Sequence, residues 1–408
     1  MVKSYKCPGC GATLEYDPQS NTMHCAYCNC DHEPSEIGRK ALSGVLMNAT
    51  DQEKRMARDQ DRIKMNIAVC NSCGAEMAMN AVEVSSFCPY CGNASVVMDR
   101  VEEQLAPDYV IPFKVTKEEA ESIIRKKLRY GFFVPKEIKN FETERLRGIY
   151  IPFWLYDIYY GAEQKWKYEE KRGKYYSVTR YAITVSDSEY HKLTVDASQA
   201  LDDNSSRRLE PYDMTKLEPF DPVYLSGFYS DRFDVRTGRS DEIANARVEK
   251  MFKDEVTKQV PGGAALDEER IVNEMITHDY AFLPVWFLTF RHEGWPYTIM
   301  VNGQTKKMVG AVPVNKKKAV SLMVILALIF GISFAWAGAY FAADIVWPAV
   351  TGTEDGTKLG MAVFAFWLSI ILLFWVCAKR RHAKLTNSID LCRSYRHASF
   401  VKERQEKT

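Results

Sequence analysis

The chain of 408 residues has almost no net charge: 54 Lys and Arg stand against 53 Asp and Glu, leaving +1 at pH 7. That excludes a global electrostatic drive toward nucleic acid or an anionic surface. The sequence has no G-x4-G-K-[ST] phosphate loop, so a Walker-type ATPase or helicase motor is excluded. It has no H-E-x-x-H zinc-protease helix and no G-x-S-x-G nucleophile elbow. Histidine is scarce, seven in all, and His191, His278 and His292 have no metal-ligand spacing. His278 and Asp279 are adjacent, and neighbours on a strand point to opposite faces, so they do not read as a dyad. No apolar run lies between Met1 and Cys10, so a secretory signal is not expected. The mean hydropathy of −0.29 is too polar for a transporter built mainly in lipid. Disorder throughout is excluded by 46% hydrophobic and 26% charged residues. What remains is a chain long enough for two or three domains, with no catalytic or small-molecule cofactor residues to assign and a non-enzymatic role expected.

Cysteine is absent between Cys91 and Cys377, because nine of the eleven crowd into the first quarter of the chain. They form two sets with the spacing C-x2-C-x14-C-x2-C: Cys7, Cys10, Cys25, Cys28, and Cys70, Cys73, Cys88, Cys91. Each member of the second set follows its counterpart by 63 positions, which marks a duplicated module. Two thiolates in C-x2-C wrap one tight turn and can reach one ion at about 2.3 Å. The residue after such a pair often needs positive φ; Gly11, Gly74 and Gly92 follow three pairs and Asn29 the fourth. The 14-residue insert fits a short hairpin between two knuckles, as in a zinc ribbon. Paired disulfides would need an oxidising compartment, and a four-thiolate iron site has the same spacing. The expectation is two structural Zn2+ ions per chain, one for each four-cysteine set. His24, Cys30 and His32 lie near the first set, but the repeat supplies four ligands without them.

Two long uncharged runs close the chain, residues Ala319–Ala343 and Leu359–Ala378. About 20 residues span a ~30 Å hydrocarbon core, so a transmembrane α-helical hairpin is expected over 319–343 and 359–378. Lys316, Lys317 and Lys318 precede the first run, and Lys379, Arg380, Arg381 and Lys384 follow the second. By the positive-inside rule the chain reads as a multi-pass protein of the cell membrane with both termini cytoplasmic. Neither run contains an ionisable side chain other than Tyr and Cys, so an ion or proton pathway is not expected.

Between these ends, residues 105–315 read as an α+β cytoplasmic domain. Thr116 and Glu119 form a capping box for a helix to about Arg129, and Glu242 to Val256 reads as a second helix. Three segments repeat an apolar–Pro–apolar pattern: Val110–Phe113, Tyr150–Trp154 and Phe282–Trp286. Proline belongs at strand starts, edges or bulges, so these are expected to begin strands of one sheet. A hairpin is expected from Trp166–Glu170 through Arg172-Gly173 to Tyr175–Val185, and a closing meander turns at Asn302-Gly303. The fold class is therefore multidomain: ribbon 1 over 1–32, a charged linker over 33–66, ribbon 2 over 67–104, the α+β domain, the membrane hairpin and a basic tail over 379–408.

The ribbons resemble the zinc ribbon of the general transcription factor B class. Together with Ala281–Phe290, Tyr297–Lys318 and the apolar runs behind them, the chain resembles the bacterial TFIIB-type zinc-ribbon-containing membrane proteins. The resemblance implies a bilayer anchor and protein partners, phage-shock-protein-A-like or flotillin-like, in membrane stress. The expected function is a membrane-anchored, non-enzymatic, cytoplasm-facing scaffold or adaptor. The alternative is a membrane-tethered nucleic-acid-binding ribbon protein. Charge disfavours it: residues 1–100 hold ten Lys and Arg against twelve Asp and Glu, whereas phosphate binding favours a basic surface. The basic tail, nine Lys and Arg against three Asp and Glu, is explained by topology and anionic lipid headgroups.

Overall fold

The structure is a computed structural model that describes residues 5–37, 62–79, 88–93, 96–172, 176–198, 203–231, 237–293, 295–310 and 312–340. The second apolar run, the loop before it and the basic tail, with Cys377 and Cys392, lie outside the described residues, as does most of the charged linker.

The described chain is mostly β, not the expected assembly of small ribbons on an α+β domain. A three-stranded antiparallel sheet contains β1 (Glu15–Asp17), β2 (Thr22–His24) and β3 (Asp31–His32), followed by the short helix α1 (Pro34–Ile37). An eleven-stranded mixed sheet takes everything else: β4 (Arg62–Cys70), β5 (Glu76–Met79), β6 (Val96–Leu105), β7 (Tyr109–Val110), β8 (Leu146–Arg172), β9 (Tyr176–Asp196), β10 (Glu218–Pro219), β11 (Tyr229–Ser230), β12 (Ala265–His292), β13 (Trp295–Asn302) and β14 (Met308–Gly310). Its main order is β10-β7-β12-β8-β11-β5-β4-β6; β9 pairs with β8, and β13 lies between β12 and β14. The helices are α2 (Lys117–Tyr130), α3 (Lys136–Lys139), α4 (Asp203–Leu209), α5 (Thr237–Thr257) and α6 (Lys316–Tyr340). Thr116 Oγ1 accepts the Glu119 amide at 3.2 Å, so the N-terminal half of the capping box forms.

The spine is the antiparallel pair β8 and β12, running from Lys167 opposite Ala265 to Leu146 opposite Leu288, with register shifts between Leu266 and Glu268 and between Ile271 and Asn273. The three apolar–Pro–apolar segments meet here: Val110 pairs with Phe282, and Phe282 with Pro152. They share one sheet, but Pro152 and Pro284 sit inside long strands instead of opening them. A strand residue turns its nitrogen and carbonyl to the same side. The Pro152 carbonyl accepts from Ala197, just past the end of β9, and the Pro284 carbonyl from Gly303, just past the end of β13. Each proline therefore faces a neighbour at the point where that neighbour ends, and no ladder donor is lost.

Phe113, Tyr150, Phe228 and Trp286 pack beside this crossing, with Phe113 stacked on Phe228 at 4.2 Å and edge-on to Trp286 at 5.2 Å. The Trp286 indole N–H donates to the Val115 carbonyl at 2.8 Å. Arg247, on α5, binds both carboxylate oxygens of Glu210 at 3.1 and 3.0 Å.

Two compact units divide the chain. Residues 1–122 and 143–309 belong to the first, which contains both cysteine sets and the core just described. Residues 123–142 and those from 310 onward, as far as they are described, belong to the second. There the Arg125 guanidinium lies 4.3 Å over the Phe141 ring, and the Asn315 amide donates to the Phe133 carbonyl.

The membrane expectation is corrected. Among the described residues no helix is long and apolar enough to cross a membrane. The first expected span falls in α6, which opens on Lys316, Lys317 and Lys318 and exposes Val320, Met323, Leu328 and Ile332. A hairpin needs a second span, and 359–378 lie outside the described residues. Among the described residues, the apolar core lies in the sheet, where Ile151, Phe153 and Leu155 of β8 are buried with Leu283, Val285 and Phe287 of β12. The transmembrane hairpin, and the multi-pass location read from it, are therefore withdrawn.

Candidate metal centres

Each four-cysteine set is brought together. Within each, the four sulfurs lie within 4.8 Å of one another. In the first, Cys7 is 3.5 Å from Cys28 and Cys10 is 3.5 Å from Cys25. In the second, Cys70 is 3.6 Å from Cys91 and Cys73 is 3.8 Å from Cys88. A tetrahedron of sulfurs 2.3 Å from its centre has edges of about 3.8 Å, so the spacing fits a four-thiolate metal ion. A disulfide needs about 2.05 Å, and all eight cysteines are free. Each set could hold one metal ion.

The local sequence builds four equivalent knuckles. After each pair the chain turns left-handed, at Gly11 (φ 74°), Asn29 (58°), Gly74 (68°) and Gly92 (71°). The amide of that residue donates to the carbonyl of the first cysteine at 2.8 Å in all four. The first cysteine's own amide closes the loop five residues on, to Ala12, Cys30, Ala75 and Asn93. Positive φ is what glycine and asparagine tolerate, so the residue choice and the turn agree.

The nearby candidates play other parts. His24 Nδ1 pairs with Asp31 at 2.7 Å. Cys30 is exposed, its thiol directed at the Cys28 carbonyl at 3.6 Å. His32 Nε2 lies 3.6 Å from Cys7 Sγ. This contact holds the Cys7 thiol down to about 6, which favours the thiolate a metal requires. A hydrogen bond from the Cys28 backbone is the main cause lowering Cys25. Hydrogen bonds from Cys73, then Cys88 and Cys91, hold Cys70 far below an ordinary thiol.

The two sets differ sharply in setting. The first stands on its own three-stranded sheet. It is fixed to the large body by Tyr16, which meets Tyr224 edge-on at 5.4 Å and Phe228 at 6.4 Å and donates its amide to Ser226. Cys10 is exposed and Cys28 half-buried. The second is built from β4 and β5, strands of the large sheet, and all four of its cysteines are buried in the main apolar core with Tyr90, Leu283, Val285 and Phe287.

The scattered histidines stay apart. His278 lies against Trp154 and Tyr156, while Asp279 is ion-paired with Lys192 at 2.8 Å. His191 sits beside Asp157 and Glu189, and His292 beside Glu293. The half-buried Asp157–Lys192–Asp279 cluster joins β8, β9 and β12; no sequence spacing announces it, because its members are 35 and 87 residues apart. Tyr27 and Tyr90, one in each second knuckle, also escaped the motif reading, though the 63-residue offset pairs them.

No family model matches the chain, and no solved structure matches it. Among curated proteins it is similar to "Uncharacterized protein YdjG" of Bacillus subtilis (strain 168), with 26% identity over 330 residues, 78% of this chain and 92% of that protein.

Proposed function

We propose that both four-cysteine sets are structural zinc ribbons and that the chain is a non-enzymatic scaffold for protein partners. A bound zinc would supply cross-linking of two knuckles and nothing catalytic, since four thiolates leave no open position for water or substrate. Four soft sulfur donors in a tetrahedron suit zinc, and iron is the competing metal. The observation that carries the scaffold reading is the contrast between the ribbons: the second has all four cysteines sealed into the core, whereas the first leaves Cys10 exposed and Cys28 half-buried. A module needed only for stability gains nothing from that placement. The acidic balance of residues 1–100 weighs against phosphate as the ligand. By resemblance, phage-shock-protein-A-like and flotillin-like proteins are the first partners to try.

The test uses the full chain, purified under reducing conditions. Elemental analysis is expected to give about two zinc equivalents, and Cys7→Ser about one. Protein partners captured by the full chain in its native cells are expected to be lost in Cys7→Ser while the sheet stays folded. Iron in place of zinc refutes the metal assignment. Absence of any ribbon-dependent partner, or tight DNA or RNA binding with a steep salt slope that Cys7→Ser abolishes, refutes the scaffold.

A further inference from the structure

The duplication supplies its own comparison. An offset of 63 residues aligns Ala26 with Pro89, Tyr27 with Tyr90 and Asn29 with Gly92. In the second ribbon, strand β12 covers this knuckle. Tyr90 is 2% exposed and meets Phe287 edge-on at 5.8 Å. Two residues along the same strand face, Thr289 Oγ1 donates to the Pro89 carbonyl. A Cβ on Gly92 would lie 3.2 Å from the Thr289 carbonyl oxygen, so backbone and knuckle are in close contact. In the first ribbon the same tyrosine is 84% exposed, and Ala26 and Asn29 are exposed beside it.

We propose that this second knuckle of the first ribbon docks a β-strand of a partner protein, which presents an aromatic side chain to Tyr27 as β12 presents Phe287 to Tyr90. The inference rests on the scaffold reading and names the chemistry of its partner. The knuckle is held by the Asn29-to-Cys25 and Cys25-to-Cys30 backbone hydrogen bonds, so docking orders little besides one ring. Charge defines the rest of the occupant. Residues 5–37 carry Lys6 against Glu15, Asp17, Asp31, Glu33 and Glu36, so the strand has basic flanks. Asn29 stands where the second ribbon has Gly92, on which a Cβ would lie 3.2 Å from the Thr289 carbonyl oxygen, so the partner backbone has to give by a few tenths of an ångström there and otherwise follows the path of β12. The Ala26 carbonyl occupies the position from which Pro89 accepts a hydroxyl, so a Ser or Thr two residues from the aromatic completes the match.

The probe is a fluorescein-labelled peptide of residues Pro284–Arg291, flanked by lysines, titrated with the zinc-loaded full chain and followed by anisotropy. Saturable binding is expected. Tyr27→Ser is expected to weaken it by about tenfold or more, as is Phe287→Ala in the peptide, from the lost edge-to-face contact and ring area. Zinc content of Tyr27→Ser is expected to stay unchanged. No saturable binding, binding indifferent to Tyr27→Ser, or Tyr27-dependent preference for an oligothymidylate over the peptide overturns the proposal. If the peptide fails while Cys7→Ser still loses protein partners, this inference falls and the scaffold stands. If no partner depends on the ribbon, the scaffold itself falls.

Discussion

Cysteine-to-serine substitutions at equivalent positions of the two modules should have unequal effects on stability. Cys7 and Cys70 are counterparts in the repeat. If the proposed zinc is bound, a four-cysteine site would contribute about 10–16 kcal/mol to the folding of its module, against about 5–15 kcal/mol for the total stability of a typical domain. In Cys70→Ser that loss falls inside the main core, where Cys70 is fully buried, and the new hydroxyl costs about 1–3 kcal/mol more if unpaired. The whole sheet should therefore go. In Cys7→Ser the ribbon unfolds by itself, and the body loses mainly the Tyr16 contacts with Tyr224 and Phe228. Two aromatic pairs are worth about 1–3 kcal/mol together, or about 2–12 °C in Tm for a body of this size. Intrinsic tryptophan fluorescence reads the difference cleanly, because all eight tryptophans lie at or beyond Trp154, outside both ribbons. Cys7→Ser should keep a cooperative melt a few degrees lower; Cys70→Ser should show a several-fold larger fall or no cooperative melt. Equal shifts in the two variants would refute the unequal integration of the ribbons.

Other expectations follow from single contacts. Gly303→Ala would place a Cβ 2.7 Å from the Phe113 ring and 2.8 Å from Pro284, and should lower stability by about 1–3 kcal/mol in urea unfolding. Arg247→Met leaves the half-buried Glu210 with the Thr194 hydroxyl but without the Nη2 that bridges both its oxygens, and should cost about 1.5–3 kcal/mol by the same measurement; a change under about 0.5 kcal/mol would show the pair to be idle. Lys306 holds the Glu119 carboxyl below its ordinary value near 4.5. A depressed carboxylate contributes stability that is present above the unfolded pKa and is lost as pH falls through the folded one. Lys306→Met should therefore return Glu119 to the ordinary range in an NMR titration and flatten the acid side of the stability profile below about pH 4.5, by well under 1 kcal/mol because the pair is exposed.

The metal knuckles were legible in the sequence because they are local. Four-residue spacing, a left-handed residue after each pair and a 14-residue insert are all short-range constraints, and they bring Cys7, Cys10, Cys25 and Cys28 together without help from distant chain. The Thr116 half of the capping box and the turn at Asn302-Gly303 were legible for the same reason; Asn302 Oδ1 accepts the amides of Gln304 and Thr305 inside the turn. Strand length was not. The hairpin expected around Arg172 grew into strands of 27 and 21 residues, because β8 gains β12 as a second neighbour about a hundred residues away. Nor was the placing of Pro152 and Pro284, which depends on where β9 and β13 stop. Apolar content alone misled at the C-terminal end: a run long enough to span a bilayer was expected to do so, yet no described helix has the length and apolarity required. The largest difference lies between two modules of nearly one pattern. Their cysteines, turns and tyrosines match at an offset of 63, yet the second knuckle is buried in one, with Tyr90, and exposed in the other, with Tyr27. That distinction was made by Phe287 and Thr289, some 200 residues downstream of Pro89, and only strand pairing in the tertiary structure could bring them there.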